Sequence, residues 1–269
     1  MPNSKIGPPT PPAVLARVPK SVIRALDVAD VLMDALATTS PPIGLGPVLA
    51  LNSIDSYLDA AKHQRRRIER ARAATFVGIR LRKHIHGNLF NDVHFYLICW
   101  ARIAKLARFI ADKTRFKRVG LVLRRYHPEL KERIDCRDHL EHFEERLPGG
   151  VKQDRLPVPN DLLNMINQHV TYGGRKLDVG PDSMRLLRNI VAEFRTAILF
   201  DAIETLVTSD VDRLADLFQR AVSNIQIAKV TKAVQKHMEA SGPAERSMTP
   251  PTARTRITNQ SSRPPKLGG

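Results

Sequence analysis

The stretch Arg137-Asp138-His139-Leu140-Glu141-His142 combines residue types that can cleave a phosphodiester. Arg137 offers a permanent planar cation whose N–H groups match phosphate oxygens. His142 offers an imidazole that takes or gives a proton near neutral pH. Asp138 precedes His142 by four residues, the spacing at which helical side chains meet, so it can orient that imidazole. Arg137, Asp138 and His142 are therefore the candidate catalytic residues.

A helix is predicted around these residues. His127-Pro128-Glu129 is typical of a helix start, and Leu147-Pro148-Gly149-Gly150 is typical of a helix end. At about 100° per residue, Arg137 and His142 project about 140° apart around the helix axis. They therefore border a cleft rather than touch, and a second helix must complete the site.

The motif resembles the signature helix of HEPN domains. The pattern is an arginine, a polar residue, three further residues and a histidine, followed by the acidic stretch Phe143-Glu144-Glu145-Arg146. HEPN domains are small helical bundles, and many are metal-independent endoribonucleases. The resemblance covers roughly residues 88–147 and implies that Arg137 and His142 are the catalytic pair. Asp138 fills the polar position after the arginine.

The same resemblance implies a reaction and partners. His142 would remove the proton of a ribose 2′-hydroxyl, which attacks the adjacent phosphate, while Arg137 would stabilise the charge on the phosphate oxygens. The family usually builds its site from two facing motifs, so a homodimer is implied. Some members are toxins held by a protein partner, which makes an antitoxin-type partner an expectation. No cofactor is expected.

Two other interpretations of this helix stay open. The chain could be a noncatalytic helical module that binds nucleic acid or a protein, with Arg137 paired to Glu141 or Glu144. A metal ion is the second alternative, because the spacings of Asp135, His139, His142 and Glu145 place ligands on one side of a helix. No matching pair of histidines occurs elsewhere, so we predict no metal site.

The net charge of +16 is concentrated in two stretches. Residues 62–84 and 102–125 each carry nine basic residues against one acidic residue, which accounts for the entire excess. Concentrated positive charge attracts polyanions, so RNA is the predicted partner. The candidate nucleic-acid-binding residues are Arg65, Arg66, Arg67, Arg124 and Arg125. Alternatively, either stretch is simply the solvent-exposed face of a helix.

Other classes are poorly supported by the sequence. It has no phosphate-binding loop ending in Gly-Lys-Ser or Gly-Lys-Thr, no Gly-x-Gly-x-x-Gly fingerprint and no serine hydrolase elbow. No apolar run approaches the length of a membrane span. Two cysteines and an N-terminus without a secretory signal indicate a reducing cytoplasm.

The predicted fold is mainly α: a HEPN-like helical bundle with a small β-hairpin and disordered termini. Residues 1–19 are a proline-rich disordered lead, 20–240 the helical domain, and 241–269 a disordered basic tail. Helices are expected over about 20–38, 47–74, 89–112 and 115–125, and the HEPN-like core spans about 47–148. A hairpin over about 168–179 turns at Gly173-Gly174, and two C-terminal helices follow, the last opened by a capping box at Ser209.

Overall fold

The computed structural model describes residues 8–75, 82–141, 165–166, 168–172 and 175–240. They form the mainly helical fold with a small antiparallel sheet that the sequence predicts. The chain divides into a compact unit, Met1–Ile225, and a second unit, Gln226–Gly269. Within the described residues, no helix is long and apolar enough to cross a membrane. The predicted tail over 241–269 lies outside the described residues.

The N-terminal part differs from the prediction in two ways. The proline-rich lead contains a 3₁₀-helix, Ala13–Arg17, because Leu15 is buried in the core. The single helix expected over 20–38 is two helices, α1 (Lys20–Ala25) and α2 (Val28–Ala37). The break occurs at Asp27, whose side chain accepts a hydrogen bond from the backbone N–H of Ala29 at 2.7 Å and thereby starts α2.

Two long helices form the centre of the fold. Helix α3 covers Gly46–Thr75, and α4 covers Arg82–Thr114, so α4 begins before Gly87 and runs through it. The predicted inner face of α4 is confirmed, since all its members are buried: Val93, Leu97, Trp100, Ile103, Ala107 and Ile110. The charged residues assigned to its outer face are exposed: Arg102, Lys105, Arg108 and Asp112.

The helix that carries the motif packs against α4, as predicted. After the short helix α5 (Lys117–Arg125), helix α6 begins at His127 and is described as far as Glu141. His142 and the expected helix end at 147–150 lie outside the described residues. The side chain of Arg133 on α6 stacks on Trp100 of α4, with 4.4 Å between the guanidinium carbon and the ring centroid.

The predicted hairpin is present. Strands β2 (His169–Tyr172) and β3 (Arg175–Asp178) pair antiparallel, with Tyr172 opposite Arg175. The two-residue strand β1 (Met165–Ile166) pairs with β2 on its other side. Tyr172 ties the hairpin to α6, because its hydroxyl donates a hydrogen bond to the carbonyl of Glu132 at 3.2 Å.

Two helices complete the described chain. Helix α7 (Pro181–Ser209) buries its predicted apolar stripe of Leu187, Ile190, Val191, Phe194 and Ile198. Helix α8 (Val211–Ala240) is capped by Asp210 and not by Ser209, since the Asp210 side chain accepts from the backbone N–H of Arg213 at 3.0 Å. The Ser209 hydroxyl instead lies 2.8 Å from both the carbonyl oxygen of Thr205 and the hydroxyl of Thr38.

A buried carboxylate on α7 holds the start of α5. Asp201 accepts hydrogen bonds from the backbone N–H of Arg118 at 2.8 Å and from its Nη1 at 2.7 Å. The N-cap residue of α5, Phe116, provides no side-chain cap, so Asp201 satisfies N–H groups that would otherwise lack acceptors. Burial raises the pKa of the Asp201 carboxyl, and its hydrogen bonds with Arg118 oppose that rise.

We expect Asp201→Ala to lower the free energy of unfolding by about 3 kcal/mol, because it breaks a buried ion pair and uncaps a helix. Urea denaturation measures the change. Asp59→Ala is the matched control, since it removes a carboxylate that is 75% exposed and paired with Lys62, and it should cost less than about 1 kcal/mol. Equal losses in the two variants would contradict this role of Asp201.

Candidate nucleic-acid interface

A groove of about 640 Å³ lies between α4, α5 and α6. Its floor is apolar and is formed by Ala104, Leu123, Leu130 and Ile134. Its rim is polar and mostly cationic, with Arg108 from α4, Arg124 from α5, and His127, Lys131 and Asp135 from α6. We call this feature the basic groove. An apolar floor between cationic rims suits an extended chain with flat bases and a charged backbone.

The cations of the basic groove are largely uncompensated. Arg108 and Arg124 are exposed, and neither has a salt bridge among the described residues. Lys131 pairs with Asp135 on its own helix at 2.6 Å. Lys105, one helical turn before Arg108, is also exposed and without a carboxylate partner in the described part of the chain. The groove therefore presents cations that no described anion neutralises.

The first basic stretch contributes less than the sequence predicts. Arg65 is buried, and its Nε and Nη1 have no hydrogen-bond partner among the described residues. Arg67 pairs with the buried carboxylate of Asp92 at 2.8 Å. Only Arg66 of this trio is exposed and free of a carboxylate partner within the described residues. Arg65 is buried because its position between Ala61 and Ile68 faces the core, so the structure leaves its predicted contact with nucleic acid without support.

Two arginines of the second stretch have structural partners. Arg125 is half-buried and forms an ion pair with Glu193 of α7. Arg118 is bound by Asp201 and Glu204. Arg118 also lies in the wall of a separate depression of about 740 Å³. Because Asp201 and Glu204 already neutralise this guanidinium, we do not assign an anion site there.

Arg137 is bound by carboxylates of its own helix. Its Nε lies 2.9 Å from Oδ1 of Asp138 and 3.3 Å from Oε2 of Glu141, and 26% of its side chain is exposed. Asp138, expected to orient His142, accepts a hydrogen bond from Arg137; His142 lies outside the described residues. The pairing with Glu141 is the one that the noncatalytic interpretation predicts. Asp138 and Glu141 thus engage Nε and Nη2 of Arg137, and the Nη1 donors have no partner among the described residues.

An imidazole from α4 faces this cluster, and the sequence did not point to it. His94 Nε2 lies 3.5 Å from Oε1 of Glu141, whose second oxygen contacts Arg137. The packing of α4 on α6 is the signal that could have identified His94. The sequence predicts that packing, but it does not predict which residues of the two helices lie opposite each other. Antiparallel packing that sets Trp100 opposite Arg133 also sets His94 opposite Glu141.

The residues considered for a metal serve other contacts. Asp135 binds Lys131, and His139 is buried with its ring edge-on to Tyr172, 5.8 Å between ring centroids. His142 and Glu145 lie outside the described residues. Across the ranges that the structure describes, no group of three or more histidine, cysteine, aspartate or glutamate residues could hold a metal ion.

Arg133 positions α6, and no sequence pattern singles it out. Its side chain is buried on Trp100, and its Nη1 donates to the carbonyl of Glu129 at 3.0 Å and to the carboxylate of Glu132 at 3.1 Å. A desolvated cation–π contact contributes up to about 2 kcal/mol. Arg133 and Trp100 therefore fix the register that brings His94 beside Glu141.

No family model, curated protein or solved structure matches this chain.

The cysteine beside Arg137 is not a nucleophile in this geometry. Cys136 is fully buried, and burial, reinforced by the charge of Glu132, raises the pKa of its thiol to about 12. Cys99 is also buried, and burial raises the pKa of its thiol to about 11. The thiolate is the reactive form of cysteine, so neither residue can serve as a base or nucleophile near neutral pH.

We expect both thiols to resist labelling by a disulfide reagent such as DTNB in the native protein at pH 8. Both should react at once in guanidinium chloride, which exposes them and restores an ordinary thiol pKa. Absorbance at the released thiolate's wavelength measures the rate in each state. Rapid labelling of native Cys136 would contradict its burial.

Proposed function

We propose that this protein binds single-stranded RNA, with the phosphate backbone held by the rim of the basic groove. The observation that carries the proposal is the set of exposed cations without carboxylate partners among the described residues, above all Arg108 and Arg124, on both sides of an apolar floor. Bases of a single strand can lie on Ala104, Leu123 and Leu130, while phosphates reach the rim. A cytoplasmic location is part of the proposal, since RNA is abundant there.

The electrostatics of the groove support this proposal over a solvated helix face. A solvated face is commonly laced with i,i+4 salt bridges, as Lys131 and Asp135 illustrate. Arg108 and Arg124 come from different helices and converge on one groove without such partners in the described chain. Converging like charges repel one another, and a bound polyanion removes that repulsion while releasing its own counterions.

We expect Arg108→Ala and Arg124→Ala each to weaken binding of a short single-stranded RNA. The slope of log K against log salt concentration should fall by about 0.7 for each phosphate that the variant no longer neutralises. Fluorescence anisotropy across a salt series measures both quantities, and a matching DNA strand shows the sugar preference. Arg185→Ala is the control, since that arginine is exposed on α7 and paired with Asp182. Equal weakening by all three variants would contradict binding in the basic groove.

Metal-independent cleavage of the bound RNA is a second candidate function. The observation that favours it is the cluster on α6 and α4, where a guanidinium, two carboxylates and an imidazole meet at Arg137, Asp138, Glu141 and His94. By the HEPN resemblance, His142 belongs to the same site. That resemblance also makes a homodimer and an antitoxin-type partner parts of this second proposal.

For the second function, we expect wild-type protein to cleave structured RNA in EDTA, and Arg137→Ala to abolish cleavage while it remains folded. Gel analysis of 2′,3′-cyclic phosphate ends identifies the product of 2′-hydroxyl attack, and circular dichroism checks the fold. Arg137→Lys tests whether the planar guanidinium is needed, because a lysine keeps the positive charge but not the paired N–H donors. RNA that is bound but stays intact would leave binding as the function.

A further inference from the structure

The cluster at the end of the described part of α6 contains the parts of a proton-transfer site. Glu141 contacts two groups at once: its Oε1 lies 3.5 Å from Nε2 of His94, and its Oε2 lies 3.3 Å from Nε of Arg137. The imidazole is 32% exposed, and Arg137 is 26% exposed. Both side chains are therefore reachable by a ligand at the surface, while a carboxylate links them.

The two nitrogens of the His94 ring differ in their surroundings. Nε2 is buried 3.5 Å from Oε1 of Glu141 and has no hydrogen-bond partner among the described residues. We therefore assign Nδ1 to the substrate. A carboxylate beside one ring nitrogen orients an imidazole and stabilises its protonated form once it accepts a proton at the other. Glu141 is placed to do this for His94, and Arg137 is placed beside the same carboxylate to meet a phosphate.

The cluster lies on the same side of α4 as the basic groove. His94 and Arg108 are fourteen residues apart, which at about 100° per residue leaves them only about 40° apart around the axis. The rise of about 1.5 Å per residue separates them by about 21 Å along α4. Lys105, eleven residues after His94, lies about 20° from it in direction. A strand held at Arg108 can therefore continue along α4 toward His94.

We propose that His94 is a catalytic base for cleavage of the RNA held in the basic groove; this rests on the proposed ribonuclease function. Nδ1 of His94 takes the proton of a ribose 2′-hydroxyl as the 2′-oxygen forms a bond to phosphorus. The bond between phosphorus and the 5′-oxygen breaks, and that oxygen takes a proton from water. Arg137 binds the phosphate oxygens. The products are a 2′,3′-cyclic phosphate and a 5′-hydroxyl.

This assignment gives His94 the role that the HEPN resemblance gives to His142. The two assignments predict different variants to be inactive. Loss of a positioned general base typically slows a reaction by about 10² to 10⁴-fold. Only the base variant should recover when free imidazole is added, because a small base in solution can then occupy the space left by the ring.

The experiment measures cleavage of a single-stranded RNA in EDTA by wild type, His94→Ala, His94→Gln and His142→Ala. His63→Ala is the matched control, since His63 is an exposed histidine on α3. We expect both His94 variants to lose about 10² to 10⁴-fold in rate, with unchanged RNA affinity and melting temperature. Imidazole should restore activity in His94→Ala. Glutamine should not, although a purely structural polar contact would tolerate it.

The possible outcomes distinguish the His94 assignment from the ribonuclease function. Full activity in His94→Ala together with inactive His142→Ala would overturn the His94 assignment and leave the ribonuclease function standing. Activity that glutamine restores would make His94 a structural contact, which also overturns the assignment. Intact RNA with wild-type protein would remove the ribonuclease function and the role of His94 together, and the binding of RNA by the groove would be judged separately by its salt dependence.

Discussion

The stacking of Arg133 on Trp100 is the contact on which the proposed interface depends. It joins α6 to α4 through a guanidinium that is buried, lies 4.4 Å from the ring centroid and is hydrogen-bonded to Glu129 and Glu132. A buried cation needs such partners, since an uncompensated charge in the core is costly. The register fixed by this contact brings Glu141 beside His94, and Arg108 and Lys131 line the same groove.

Among the described residues, the ion pairs show which basic side chains hold the fold together and which are free to bind a ligand. Arg118 and Arg125 from α5 are bound by Asp201 and Glu193 of α7, and these pairs hold α5 in place. The positively charged side chains that remain without such partners in the described chain include Arg108 and Arg124, at the groove between α4, α5 and α6. The excess positive charge of +16 is therefore not spread evenly over the protein. Some of the basic residues form ion pairs that hold the helices together, and others are left exposed in the groove.

Much of the fold can be predicted from local sequence patterns. The helical stripe of α4 from Val93 to Ile110 and the two short strands on either side of Gly173-Gly174 are repeating or local signals, and the corresponding helix and strands are present. The burial of Arg65 was also readable, since it lies four residues after Ala61 and three before Ile68, both fully buried. A count of charges alone does not show this spacing, because it treats Arg65 in the same way as Arg66 and Arg67.

The site depends on contacts that local sequence does not encode. Asp201 caps a helix through the N–H of Arg118, 83 residues earlier in the chain. His94 meets Glu141 only through the register of two packed helices. The break at Asp27 illustrates the same limit at short range, because the apolar spacing of Val22, Leu26 and Ala29 continues across it. Periodicity identifies which face of a helix is buried, but not which residue on another helix it meets.

The most direct test of the central claim is to map where RNA lies on the protein. Single-stranded RNA that contains 4-thiouridine is crosslinked to the full chain, and the modified peptides are identified by mass spectrometry. Binding in the basic groove predicts crosslinks in the peptides that contain Ala104 to Arg108 and Leu123 to Ile134. Crosslinks confined to the C-terminal residues 241–269 would contradict it, and would assign RNA binding to the basic tail.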